Sequence, residues 1–137
     1  MIKIQNLRRT FGKQQVIKGL SLEIPQGKIT TIVGQSGCGK SVLLKHVIGL
    51  LKPDSGEVLI DGVDISKLSG TRLNDIRKKF GILFQGAALL DSMDVFENVA
   101  FPLREKTKLK KNEIEERVNH ELRNVGIVGM NSKYPAE

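Results

Sequence analysis

The residue types most able to do chemistry stand together in GQSGCGKS, residues 34–41. Its glycines leave consecutive backbone N–H groups free to approach an anion closely. Lys40 adds a point charge that can reach the outer phosphates of a nucleotide. The Ser41 hydroxyl is a hard oxygen ligand of the kind that Mg²⁺ prefers. Because G-x-x-x-x-G-K-[ST] is matched at every fixed position, we predict a loop that binds phosphates together with Mg²⁺.

This motif is specific only where a buried strand precedes the loop and a helix follows it. Residues 28–33, KITTIV, are rich in β-branched side chains and predict a buried strand. Residues 40–51, KSVLLKHVIGLL, carry apolar side chains at helical spacing and predict a helix that stops before Pro53. The helix would point its free N–H groups and the positive end of its dipole at the ligand.

Hydrolysis of a bound phosphate also needs a carboxylate at the end of a buried strand. Asp61 follows three apolar residues, but Asp61-Gly62 between two alternating runs is typical of a hairpin turn. The apolar strand predicted at residues 80–84, FGILF, runs into Gln85, which can bind metal or water but cannot act as a base. We therefore predict a phosphate site without a hydrolytic carboxylate, and no catalytic residue in this chain.

Other patterns supply the elements around the loop. Asp94 is a predicted helix cap, with Glu97 at the third position after it. The other predicted elements are strands at residues 2–4 and 16–24, a short helix over residues 70–79, a helix ending at Pro102, and a helix that starts at Asn112 and runs to Gly126.

Composition narrows the class of protein. The 137 residues are 39% hydrophobic and carry a net charge of +7, but tryptophan is absent and only one tyrosine occurs, so a stacking surface for nucleic acid is not indicated. No apolar run reaches the roughly 20 residues of a membrane span. Cys38 is the single cysteine, and it is either a small spacer in the loop or a redox-sensitive thiol.

At this point the chain resembles the ATP-binding subunit of ABC transporters. The similarity runs from LRRTFGKQQVIKGL through GQSGCGKS to EVLIDGVDI, and FGILFQ is similar to the Q-loop of that family. GAALLDSMDVFENVAFPLRE, residues 86–105, resembles more narrowly the ATPases of Mla-type phospholipid transport systems. Family members continue past a segment like KYPAE into an LSGG-type signature, so the resemblance implies an N-terminal fragment, from a truncation or an interrupted gene, that ends before that signature.

The resemblance implies an α/β P-loop NTPase (ABC ATPase) fold that is incomplete. Its expected parts are an N-terminal antiparallel β subdomain, a partial parallel core sheet with the P-loop helix, and the start of a helical subdomain. The expected division is residues 1–85 for the β subdomain and partial core and residues 86–137 for the partial helical subdomain.

The resemblance also implies the roles of individual residues. Phe11 would stack on adenine with Val16 beside it, although a phenylalanine after a strand is otherwise as expected in a core. Gln85 would contact the metal shell together with Ser41, and residues 86–96 would receive the membrane subunit. The full set of implied cofactor-binding residues is Phe11, Val16, Gly34, Gln35, Ser36, Gly37, Cys38, Gly39, Lys40, Ser41, Val42 and Gln85.

The implied function is coupling of ATP binding and hydrolysis to transport, with ATP and Mg²⁺ as cofactors and phospholipid as the substrate. Implied partners are a transmembrane permease and, in the full-length protein, a second ATPase subunit, on the cytoplasmic face of the inner membrane. The chain alone is expected to bind ATP at most. The alternatives are the ATPase of another ABC importer, for amino acids or similar substrates, and a non-transport P-loop nucleotide-binding or interaction module.

Overall fold

The computed structural model describes residues 1–84 and 88–137. The elements in chain order are β1 (Ile2–Phe11), β2 (Gln14–Ile24), α1 (Lys40–Val47), β3 (Ser55–Ile60), β4 (Val63–Asp64), a 3₁₀ turn (Ile65–Lys67), α2 (Gly70–Arg77), α3 (Val95–Lys106) and α4 (Lys111–Asn124). The chain divides into two compact units, Met1–Gly81 and Ile82–Glu137. No helix in the described ranges combines the length and the apolar character needed to cross a bilayer.

The first unit contains an antiparallel sheet with the strand order β2-β1-β3-β4. β1 and β2 form a long hairpin that pairs Ile2 with Ile24 at one end and Phe11 with Gln14 at the other. The turn between β3 and β4 has positive φ at Asp61 (50°) and at Gly62 (82°), as the Asp-Gly pair predicted. The expected antiparallel β subdomain is therefore confirmed.

The core of the first unit lies where the sheet meets α1. Strand residues Ile4, Leu7 and Val58 are at most 1% exposed, and an irregularity in the pairing of β1 between Ile4 and Leu7 lets these two residues, three positions apart, share the buried face. α1 adds Leu43 and Val47 to this cluster. Burial of this one helical face fixes α1 on the sheet and so determines where its first residue lies.

The second unit is organised around α3 and α4. Its core consists of Ala100, Ile114, Val118 and Leu122. The predicted cap at Asp94 is confirmed, because its Oδ1 accepts a hydrogen bond from the Glu97 backbone N–H at 2.7 Å.

Both helices of this unit differ in their bounds from the predictions. α3 continues through Pro102 to Lys106, so the predicted end at Pro102 is wrong. A proline there removes one internal hydrogen bond, but the apolar face of α3 packs on both sides of it. α4 begins at Lys111 rather than Asn112, and Glu113 accepts a hydrogen bond from the Lys110 backbone N–H at 2.6 Å.

Two apolar segments predicted as strands do not form strands. Residues 28–33 and 80–84 have no secondary structure, and Ile29 is 98% exposed. A strand needs a neighbour to complete its ladder, and neither segment pairs with the sheet of the described residues. The partial parallel core sheet is therefore absent from residues 1–84 and 88–137, which corrects that part of the expected fold.

Candidate nucleotide-binding site

The glycine-rich loop has a backbone that only glycine adopts easily. Gly37 has φ of 77° and Gly39 has φ of 101°, both in the left-handed region. The loop begins with a turn in which the Cys38 N–H donates to the Gln35 carbonyl at 3.3 Å. Gly39 then caps α1, and its carbonyl accepts the first helical hydrogen bond from the Leu43 N–H at 2.8 Å. The loop therefore leads directly into the helix, as the motif requires.

The first residue of α1 is Lys40, and its side chain folds back over the loop. The Nζ atom donates to the Gly34 carbonyl at 2.8 Å and to the Gln35 carbonyl at 2.7 Å. These contacts hold the ammonium group over the loop, where it can serve a phosphate as a point charge. The free N–H groups of the first turn of α1 lie at the same end of the helix.

A groove of about 520 Å³ runs between β2 and the loop. Val16 lines it together with Gly37, Gly39 and Lys40. The contact between strand and loop is close, because a Cβ added to Gly39 would lie 3.0 Å from Val16 Cγ1. The structure thus places Val16 next to the glycine loop. The resemblance implies this arrangement, since the base of a nucleotide would lie against Val16 and its phosphates against the loop.

Phe11 lies at the end of β1 and is not among the residues that line this groove. Its side chain is 42% exposed, so the alternative that it is a core residue is wrong. The Arg9 guanidinium carbon lies 4.7 Å from the centre of the Phe11 ring, and Arg9 is itself held by Asp54 at 2.7 Å. An exposed ring in this position can stack on a base, and that role stays a prediction.

The remaining implied site residues, apart from Gln85, lie in the loop and the first turn of α1. Gly34, Gln35, Ser36, Cys38 and Ser41 are exposed in the loop and its first helical turn, and Val42 is half-buried. A Cβ on Gly34 would lie 2.7 Å from Cys38 Sγ, so a larger residue there would require the Cys38 side chain to move. Gln85 lies outside the described residues.

The residues present fit a nucleotide with its metal. The loop offers a cradle that side chains would fill, and Ser41 supplies a hydroxyl next to Lys40. No carboxylate lines the groove within the described ranges. Nor do these residues contain a group of three His, Cys, Asp or Glu side chains that could hold a metal ion by themselves.

Asp61, which the sequence pattern assigned to a hairpin turn rather than to a metal site, binds two cationic groups outside the groove. Its Oδ1 accepts from the Met1 amino group at 2.8 Å and its Oδ2 from Lys79 Nζ at 3.2 Å. Hydrogen bonds and charge from these two groups lower the pKa of Asp61 below its ordinary value. These two ion pairs join the β3–β4 turn to the N-terminus and to Lys79, and Asp61 does not line the groove.

Several residues that line the groove were not predicted from the sequence. Lys18 and Leu20 line it with Val16, at two-residue spacing along β2. Since alternate residues of a strand share a face, the predicted strand at residues 16–24 together with Val16 could have indicated both.

Comparisons with known proteins agree on the family to which the chain belongs. The family model described as ABC transporter matches residues 17–137. The chain is 46% identical over 136 residues to the probable ribonucleotide transport ATP-binding protein mkl of Mycobacterium leprae, covering 99% of this chain and 39% of that protein. It is 43% identical over 137 residues to the intermembrane phospholipid transport system ATP-binding protein MlaF of Haemophilus influenzae, covering all of this chain and 52% of that protein. The chain thus spans between two fifths and about half the length of these relatives.

Solved structures agree with the sequence comparison. A dimeric structure of the ATP-binding cassette MJ0796 in a post-hydrolysis state, bound to ADP and Pi, superposes with a TM-score of 0.86 at 30% identity, over 99% of this chain and 62% of that one. A second dimeric structure of MJ0796, described as a bacterial ABC transporter cassette, gives a TM-score of 0.88 at 31% identity, with the same coverage.

Proposed function

Because the chain belongs to the ABC transporter family, we propose that it carries the ATP-binding half-site of a transporter's ATP-binding subunit. The observation that supports this most directly is the position of Lys40. Its ammonium group is held over a glycine loop at the start of α1, beside a groove lined by Val16. A lysine and helix N-terminus that converge on a glycine cradle suit a polyphosphate and few other ligands.

In this proposal each part of the site has one task. The N–H groups of the loop and of the first turn of α1 bind phosphate oxygens, and Lys40 neutralises their charge. Val16 and Phe11 contact the base from the side of the β1–β2 hairpin. Ser41 would hold Mg²⁺ with Gln85, and the metal when bound would supply charge compensation for the phosphates.

For the whole protein we propose ATP-driven transport of phospholipid through a membrane permease. The support is the 43% identity to MlaF and the likeness of residues 86–105 to Mla-type ATPases. The dimeric cassettes with the same fold support a partnership of two ATPase subunits. We propose the cytoplasmic face of the inner membrane as their location, as the resemblance to transporter ATPases implies. The 46% identity to a protein named for ribonucleotide transport favours ribonucleotides as the second candidate substrate.

The nucleotide proposal is tested by titrating the chain with MgATP in a calorimeter. Lys40→Ala is expected to lose about 2–3 kcal/mol of binding free energy, a factor of roughly 30 to 150 in affinity, because a charge-assisted contact to phosphate is removed. Lys45→Ala is the matched control, since Lys45 is an exposed lysine of the same helix. Equal affinity of the Lys40→Ala variant and the wild type would refute the proposed phosphate role.

The substrate is tested separately with the full-length protein and its permease in lipid vesicles. ATP-dependent movement of a labelled phospholipid, absent from the Lys40→Ala variant, is the expected result. Movement of a labelled ribonucleotide instead would replace the first substrate by the second and leave the nucleotide site unaffected.

A further inference from the structure

The carboxyl end of α1 is held by a side chain from another helix. Arg77, the last residue of α2, donates from Nη2 to the Gly49 carbonyl at 2.6 Å and from Nε to the Ile48 carbonyl at 3.3 Å. Its third nitrogen, Nη1, donates to Asn74 Oδ1 at 3.2 Å within α2. The guanidinium group thus binds the carbonyls of the two residues that directly follow α1, its C-cap residue Ile48 and the next residue Gly49.

Packing at the same junction is close. Gly49 has φ of 69°, and a Cβ there would lie 2.8 Å from Leu73 Cδ1. Leu73 is 7% exposed and belongs to the core that contains Leu43 and Val47 of α1. α2 therefore meets the end of α1 directly, and the Arg77 hydrogen bonds are formed across a junction with little freedom to shift.

We infer that Arg77 is a positioning residue for the phosphate loop, and this inference rests on the proposed function. α1 has eight residues and spans about 12 Å, so a constraint on its last turn also limits movement of its first turn. The cation stands at the negative end of the helix dipole and stabilises the helical conformation of which Lys40 is the first residue. Arg77 acts on the ligand through α1 and does not line the groove.

A merely structural role would give a different result from a positioning role. If Arg77 only added stability, its removal would lower the melting temperature and leave the affinity of the folded protein unchanged. If it positions the loop, its removal weakens MgATP binding at temperatures where the chain is fully folded.

The experiment compares Arg77→Gln with Arg72→Gln, since Arg72 is an exposed arginine of the same helix and its loss changes the net charge equally. MgATP affinity is measured by calorimetry well below the melting temperature. We expect Arg77→Gln to bind about fivefold more weakly and Arg72→Gln to bind like the wild type. Arg77→Lys keeps the positive charge and one donor nitrogen. It is expected to recover at least half of the loss in MgATP affinity, measured on a logarithmic scale.

Amide hydrogen exchange of the ligand-free protein provides a second measurement. Arg77→Gln should speed exchange at the Leu43 amide, which bonds to the Gly39 carbonyl in the first turn, as well as at the last turn. Unchanged affinity or unchanged exchange at Leu43 in the folded variant would overturn the inference. If the Lys40→Ala substitution leaves MgATP affinity unchanged, the proposed function is wrong. The exchange rate of the Leu43 amide in Arg77→Gln would still decide whether Arg77 restrains the first turn of α1.

Discussion

Gly39 and Val16 lie close together beside the groove, which places the β1–β2 hairpin next to the glycine loop. Val16 Cγ1 would be 3.0 Å from a Cβ on Gly39, and the Val16 carbonyl would be 3.4 Å from it. Gly39 also has φ of 101°, which L-residues rarely adopt. Two independent physical reasons therefore require glycine at the residue that caps α1.

Gly39→Ala should destabilise the fold and abolish most MgATP binding. The strained backbone costs of order 1–3 kcal/mol, and relief of the strain would rotate the loop away from its present path. Thermal denaturation and calorimetric titration measure the two effects. Gly81→Ala is the control, because a Cβ at Gly81 has no neighbour within 4 Å. Undiminished MgATP affinity in Gly39→Ala would show that the loop conformation does not determine binding.

Asp61→Asn should leave MgATP affinity within about twofold of the wild type, as for a surface change away from a site. Asp61 is an exposed residue of the β3–β4 turn and does not line the groove. ATP turnover by the chain is expected to be no higher than that of Lys40→Ala, since no carboxylate lines the described part of the groove. Turnover that Asp61→Asn abolishes would assign the metal-holding role to Asp61 after all.

Asp64 should contribute stability that depends on pH. Burial raises its pKa, but hydrogen bonds from Ser66 and Lys67 outweigh burial and hold the pKa below its ordinary value. A lowered pKa in the folded state means that this stability is present above the unfolded pKa of about 3.9 and is lost as pH falls through the lower folded value.

Chemical denaturation between about pH 3 and pH 7 tests this dependence. Asp64→Asn is expected to be about 1 kcal/mol less stable than the wild type at neutral pH and to approach it in acid. Asp75→Asn is the control, because Asp75 forms only an exposed ion pair with Lys78. A stability difference for Asp64→Asn that is the same at both ends of the range would contradict the prediction.

Asn98 should hold the segment before α3 in place. Its Oδ1 accepts from the Leu90 N–H at 2.8 Å, and its Nδ2 donates to the carbonyls of Leu90, Met93 and Asp94 at 2.9–3.1 Å. Asn98→Ala is expected to speed hydrogen exchange of the Leu90 amide at least tenfold, equivalent to about 1.4 kcal/mol of lost protection.

Asn112→Ala, at an exposed position near the start of α4, is the matched control for this exchange experiment. Because residues 86–96 are the surface proposed to meet the permease, Asn98→Ala also tests how far that surface is preformed. A Leu90 amide that exchanges at the wild-type rate in Asn98→Ala would show that other contacts hold the segment.

The features that sequence reasoning predicted correctly depend on neighbours in the chain. The glycine loop that leads into a helix, the Asp61-Gly62 turn and the Asp94 cap are each specified within a few residues, so their types and spacing are sufficient. The α/β class and the antiparallel subdomain follow from such signals in order along the chain.

The features that sequence reasoning missed depend on distant partners. The predicted strand at residues 28–33 has the right composition, but composition does not supply the neighbouring strand that a ladder requires. The contact of Arg77 with the Gly49 carbonyl joins residues 28 positions apart and has no periodic signature.

The hydrogen bonds of Lys40 to its own loop make ligand binding an exchange reaction at the ammonium group. The carbonyls of Gly34 and Gln35 already solvate this cation, so an incoming anion must compete with them for its protons. Only an anion of high charge density competes well with two carbonyl dipoles, which favours polyphosphates over singly charged anions such as chloride. The loop is therefore expected to select ligands by their charge density, independently of any contact with a base.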